Sequence, residues 1–108
     1  MRIPKSFKLF ATPIEVVFDN NRMQDMECYG LAEYSFSKIT LADAHELKPL
    51  SEGKIMDTFY HEKVHMILDT MGERDLSKNE KFVDTFAKLL RQSDETAEYE
   101  TSIKYTIE

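Results

Sequence analysis

A chain of 108 residues with 42% hydrophobic and 31% charged residues has the size of one domain, residues 1–108, and the composition of a soluble globular protein rather than a disordered one. Its net charge of -6, with Lys and Arg scattered along the chain, argues against a nucleic-acid partner. Cys28 is the only cysteine, which excludes an internal disulfide and a Cys-rich zinc site. No apolar run approaches membrane-spanning length, and the first eight residues have a positive end without an apolar core, so no membrane partner and a cytoplasmic location are expected.

The first half of the chain has β character. Ile14-Glu15-Val16-Val17-Phe18 is a β-branched and aromatic run within 7–19, and Asn20-Asn21 after it is a turn signal. A second strand is predicted over 29–36 and a third over 38–41, with Ile39 and Leu41 on one face. Phe36, Ser37 and Lys38 form a tight connection that makes these two a hairpin.

From Gly53 to about Met71 the spacing changes to that of a helix. Met56, Tyr60, Val64, Ile67, Leu68 and Met71 share one face, while Ile55, Phe59 and Met66 form a second apolar line. A helix apolar on two sides is buried or lines a cleft. Gly72 is the expected stop. A second helix is predicted from near Ser77, where Ser77-Lys78-Asn79-Glu80 has the form of a capping box, with Val83, Phe86, Ala87 and Leu90 as its apolar face. The tail, 101–108, alternates Ile103, Tyr105 and Ile107 with polar residues, as a last strand or an extended arm does.

The chemistry lies in His61-Glu62-Lys63-Val64-His65. Histidines four apart on a helix project from one face, one turn apart, so both imidazoles reach one ion. The residue after the first His is about 100° further round, where a carboxylate activates a metal-held water instead of ligating. This is the logic of a zinc site with a built-in general base. The second apolar line runs near Glu62, and such surroundings raise a carboxyl pKa toward the range a general base needs.

Catalytic zinc usually takes three protein ligands. On the second helix Glu80 and Asp84 lie one turn apart and flank the apolar face as the histidines flank theirs. Packing the two faces together brings Glu80 to the ion as third ligand and Asp84 to the free ring nitrogen of a ligand His. Capping is the competing role for Glu80. Glu73, Asp75 and His45 are the rival ligands, each more commonly a surface residue.

The segments 60–68 and 79–90 resemble a gluzincin, in which a later helix supplies a glutamate ligand followed one turn on by an aspartate that orients a ligand His. Asn79, Glu80 and Asp84 match that arrangement, and Phe86-Ala87-Lys88-Leu89-Leu90 is similar to the small bacterial and prophage zincins of the ImmA/IrrE type. The chain departs from the pattern at Val83, where a small residue is common, and at Arg91-Gln92, where a Pro often follows the leucines. The resemblance implies a sheet whose edge strand, just before the active-site helix, holds an extended peptide. In this sequence that is the segment around 38–43.

The reading is therefore an α+β minimal zincin: a small, mostly antiparallel sheet, then two packed helices that hold zinc. The expected activity is hydrolysis of a peptide bond in a peptide or protein substrate, with Glu62 as base and His61, His65 and Glu80 as ligands. Tyr60, Tyr99 and Tyr105 are possible oxyanion donors, although each is better explained by packing. Two rivals remain: a catalytically silent zincin-derived zinc-binding module of a phage or mobile element, and a metal-free interaction protein in which the motif is coincidental.

Overall fold

The computed structural model describes residues 2–100, so the expectations for 101–108, Tyr105 included, lie outside the described residues. Strand β1 (Ser6–Leu9) and strand β2 (Thr12–Phe18) form a hairpin that begins one residue before the first predicted segment and takes up most of it. Its turn residues Phe10 and Ala11 have φ of 50° and 67°. Positive φ at both central positions is the type I′ arrangement, which matches strand twist and usually recruits Asn or Gly. The sequence carries neither there, so the turn left no signature.

Asn20-Asn21 does not form the expected turn. It opens a short helix, α1 (Asn20–Asp25), because the Asp19 side chain accepts a hydrogen bond from the Arg22 amide and caps it. Met23 of α1 is fully buried, and Arg22 grips Glu33 through two hydrogen bonds of 2.9 Å.

Strand β3 (Gly30–Glu33) is half the predicted length. The chain then turns through a 3-10 segment, Tyr34–Phe36, and Ser37 at φ 51°. Strand β4 (Lys38–Leu41) follows and pairs antiparallel with β3 in the expected hairpin, with 34–37 rather than 36–38 as its connection. The sheet order is β1-β2-β4-β3, with β2 and β4 parallel and the other two pairings antiparallel. This corrects the edge assignment. The segment around 38–41 is central, flanked by β2 and β3, and its backbone is already paired; the edge beside the helices is β3. A two-stranded ribbon, β5 (Ala44–His45) with β6 (Lys48–Pro49), completes the β portion.

Helix α2 (Glu52–Met71) starts at Ser51, whose hydroxyl accepts from the Lys54 amide, and stops at Gly72. Gly72 adopts φ 81° while the Glu73 amide bonds back to Leu68, the left-handed stop expected of this glycine. Helix α3 (Arg74–Lys78) and helix α4 (Glu80–Thr96) follow. The expected capping box at Ser77 does not form. Asn79 caps α4 by accepting from the Phe82 amide, while Ser77 lies inside α3 with its hydroxyl turned elsewhere. A cap residue needs non-helical backbone, which Asn79 has (φ -85°, ψ 94°) and Ser77, inside α3, does not.

α2 is apolar on two sides and uses both. One core joins Ile14, Val16, Ile39 and Leu41 of the sheet to Phe59, Tyr60, Val64, Met66 and Leu68 of α2 and to Val83 and Ala87 of α4. Burying each larger aliphatic side chain of this set stabilises the fold by about 1.5–3 kcal/mol. Met71 and Phe86, expected in the apolar faces, are exposed at 60% and 45%; Met71 ends its helix, and Phe86 turns outward to stack on Phe82.

Candidate metal centre

The packing of α4 on α2 is what assembles the site. His61 and His65, one turn apart on α2, set their rings 4.9 Å apart. Glu80 opens α4 against them. Its carboxylate lies 3.2 Å from His61 Nε2 through one oxygen and 3.7 Å from His65 Nε2 through the other. Ligand atoms of His61, His65 and Glu80 all fall within 4.8 Å of one another, and no other group of His, Cys, Asp and Glu among the described residues does so. A tetrahedral zinc with bonds of 2.0–2.1 Å holds its ligand atoms about 3.3 Å apart. The spacing here already approaches that, and the donor set, two imidazoles and one carboxylate, suits zinc.

The orientation of the rings carries as much information as the distances. Both Nε2 atoms face Glu80, so both Nδ1 atoms face away. His65 Nδ1 lies 3.0 Å from the Ser77 hydroxyl, and His61 Nδ1 lies 3.8 Å from Asp84. Ligating histidines characteristically engage their remote nitrogen in this way, which fixes tautomer and ring orientation. Asp84 stands where it was expected but at ion-pair rather than hydrogen-bond distance, and Lys88 holds the same oxygen at 2.9 Å. Lys88 is also the main cause that draws the Asp84 carboxyl below its ordinary range.

Ser77 is the residue sequence reasoning misassigned: read as a cap, it is the partner of His65. It lies twelve residues past His65, in the short helix α3 that joins α2 to α4. Ser77→Ala is expected to weaken zinc binding roughly 10-fold, the low end of the range for such partners. Asn79→Ala should instead lower stability by about 1 kcal/mol and leave zinc affinity nearly unchanged. Calorimetric zinc titration and thermal melts of the two variants separate the roles.

Glu62, the remaining motif residue, points to the sheet side of α2. Burial, reinforced by the Glu80 charge, pushes its carboxyl up to about 7, against a hydrogen bond from the Ala32 backbone that lowers it. The direction is the one expected from its apolar surroundings. Burial, followed by the neighbouring His61, also lowers the pKa of His65, which favours the neutral, ligating imidazole.

β3 reaches Glu62 because residue 30 is glycine. A Cβ there would lie 2.5 Å from Thr58 Cγ2 and 3.1 Å from Glu62 Cγ. Gly30→Ala is therefore expected to destabilise the fold by about 1–3 kcal/mol, since α2 or β3 must move. Adding Thr58→Ser, which removes the clashing methyl, should recover most of that loss in thermal melts.

An open cleft of about 400 Å³ runs along this junction, with Cys28, Tyr29, Gly30, Lys54, Thr58, His61, Glu62 and Asp84 in its walls. Tyr29 and Lys54 were not singled out in the sequence; Tyr29 carries no local mark, whereas Lys54 stands where a capping box would place a glutamate. Of the candidate tyrosine donors, Tyr60 donates to Asp94 at 2.7 Å, and Tyr99 is 84% exposed. The rival ligands are not gathered. His45 lies beside Tyr29 with the rings tilted by 54°, Glu73 sits at the N-cap position of α3, and Asp75 is exposed in its first turn. Comparison with protein-family models, curated proteins and solved structures found no match for this chain.

Proposed function

We propose that this protein is a zinc-dependent peptidase, with His61, His65 and Glu80 as metal ligands and Glu62 as general base. The observation that supports this best is the arrangement of the two imidazoles: both Nε2 atoms turned to the Glu80 carboxylate, with Ser77 and Asp84 at their remote nitrogens. Zinc bound there would polarise a peptide carbonyl and acidify a water. The chain supplies the rest. Glu62, beside His61 in the cleft wall, takes the proton as the water oxygen attacks the carbonyl carbon, and returns it to the leaving nitrogen as the C–N bond breaks. β3 presents the sheet edge at this point, and Gly30 leaves room for it against α2. An extended peptide can add to such an edge and bring its carbonyl to the zinc.

The test is incubation of zinc-loaded protein with a complex library of natural peptides, read as new termini by mass spectrometry. New termini that vanish when zinc is chelated support the reading. A protein that holds zinc firmly and leaves every peptide intact would be a silent zinc-binding module instead.

A further inference from the structure

Lys54 breaks the local rules of the helix it opens. It is the third residue of α2, after the cap Ser51. A glutamate there completes a capping box, and a cation there meets the positive end of the helix dipole. Lysine forgoes the first and suffers the second. Its ammonium rests on the Tyr29 ring, 4.3 Å from the centroid, and joins none of the ion pairs of the cleft aspartates, which belong to Arg91 and Lys88. Local rules of this kind are most often broken where function demands it.

The cleft wall gives the reason. Lys54 and Tyr29 lie in it together with His61 and Glu62. Its aspartates are already engaged, Asp57 by Arg91 at 2.7 Å and Asp84 by Lys88 at 2.9 Å. Lys54 is thus the uncommitted cation of the cleft. It precedes Glu62 by eight residues, about 12 Å along the helix. An extended peptide covers that distance in about three or four residues, and a lysine side chain shortens it.

We propose that Lys54, seated on Tyr29, receives the carboxylate of an aspartate or glutamate side chain about three residues from the bond that is cut, so that the substrate is an acidic peptide. This rests on the zinc-peptidase reading and adds the substrate class to it.

The experiment uses zinc-loaded full-length protein and short peptides bearing a zinc-binding hydroxamate at one end or the other. Each position in turn is Asp, Ala or Lys, and affinity is measured by calorimetry. At one position Asp should bind roughly 2- to 5-fold more tightly than Ala, the scale of one exposed ion pair. Lys54→Met should erase that preference and Lys54→Glu should invert it toward Lys. Lys54→Glu completes the Ser51 capping box, so it is expected to fold at least as well as the parent. Hydroxamates that bind without charge preference, or a preference that survives in Lys54→Met, would overturn the acidic subsite and leave the zinc reading standing. Failure to take up zinc, or zinc that no hydroxamate reaches, would overturn the peptidase reading and the subsite with it.

Discussion

Glu62→Gln is expected to bind zinc like the parent and to lose peptide hydrolysis by a factor on the order of 100 to 10,000, the range for removing a general base. The two side chains are nearly isosteric, so packing against β3 is preserved. The substitution also removes the charge of a half-buried carboxylate that Glu80 repels, a repulsion that helps hold the Glu62 carboxyl at about 7. The variant should therefore melt no lower than the parent. Parallel zinc titration, melting and cleavage of any peptide the parent cuts make the check. Equal cleavage by the glutamine variant would show that Glu62 is not the base.

Glu80→Gln should weaken zinc binding by roughly 100-fold or more, beyond the 10- to 100-fold typical of residues that merely support a ligand. An amide oxygen is neutral and donates less to a cation than a carboxylate does. The structure makes the result easier to interpret, because Glu80 has no part in capping α4. The Asn79 side chain meets the Phe82 amide, so helix content should hold. Asp84→Asn should fall well short of this effect, since Asp84 stands 3.8 Å from His61 and is shared with Lys88. A Glu80→Gln protein that binds zinc like the parent would mean the third ligand is another residue.

The sequence was most informative where periodicity and chemistry agree. α2 was readable from its two apolar lines and its Gly72 stop, and the spacing of His61 and His65 put both rings on one face. Glu80 was reachable by matching faces across two helices, since apolar stripes that pack together carry their polar flanks with them. Readability failed where the structure departs from common turn chemistry. Phe10-Ala11 and Glu46-Leu47 both make turns at positive φ without Asn or Gly, so neither hairpin announced itself. Ser77 and Asn79 are both cap-type residues just before the helix, and α3 takes in Ser77 and leaves Asn79 extended, which is why Ser77 looked like a cap while Asn79 does the capping. The parallel pairing of β2 with β4, which makes β3 the edge, depends on long-range pairing that no local pattern encodes. The cleft residues Tyr29, Lys54 and Gly30 are brought to Glu62 by that same topology.

The central claim is that His61, His65 and Glu80 hold zinc. Metal content by inductively coupled plasma mass spectrometry, on protein purified without a histidine tag and again after zinc loading and desalting, tests it most directly. Close to one zinc per chain is expected, with most of it lost in His61→Ala and in His65→Ala. Parent protein without zinc that also takes up none on titration, or alanine variants that keep the full complement, would contradict it.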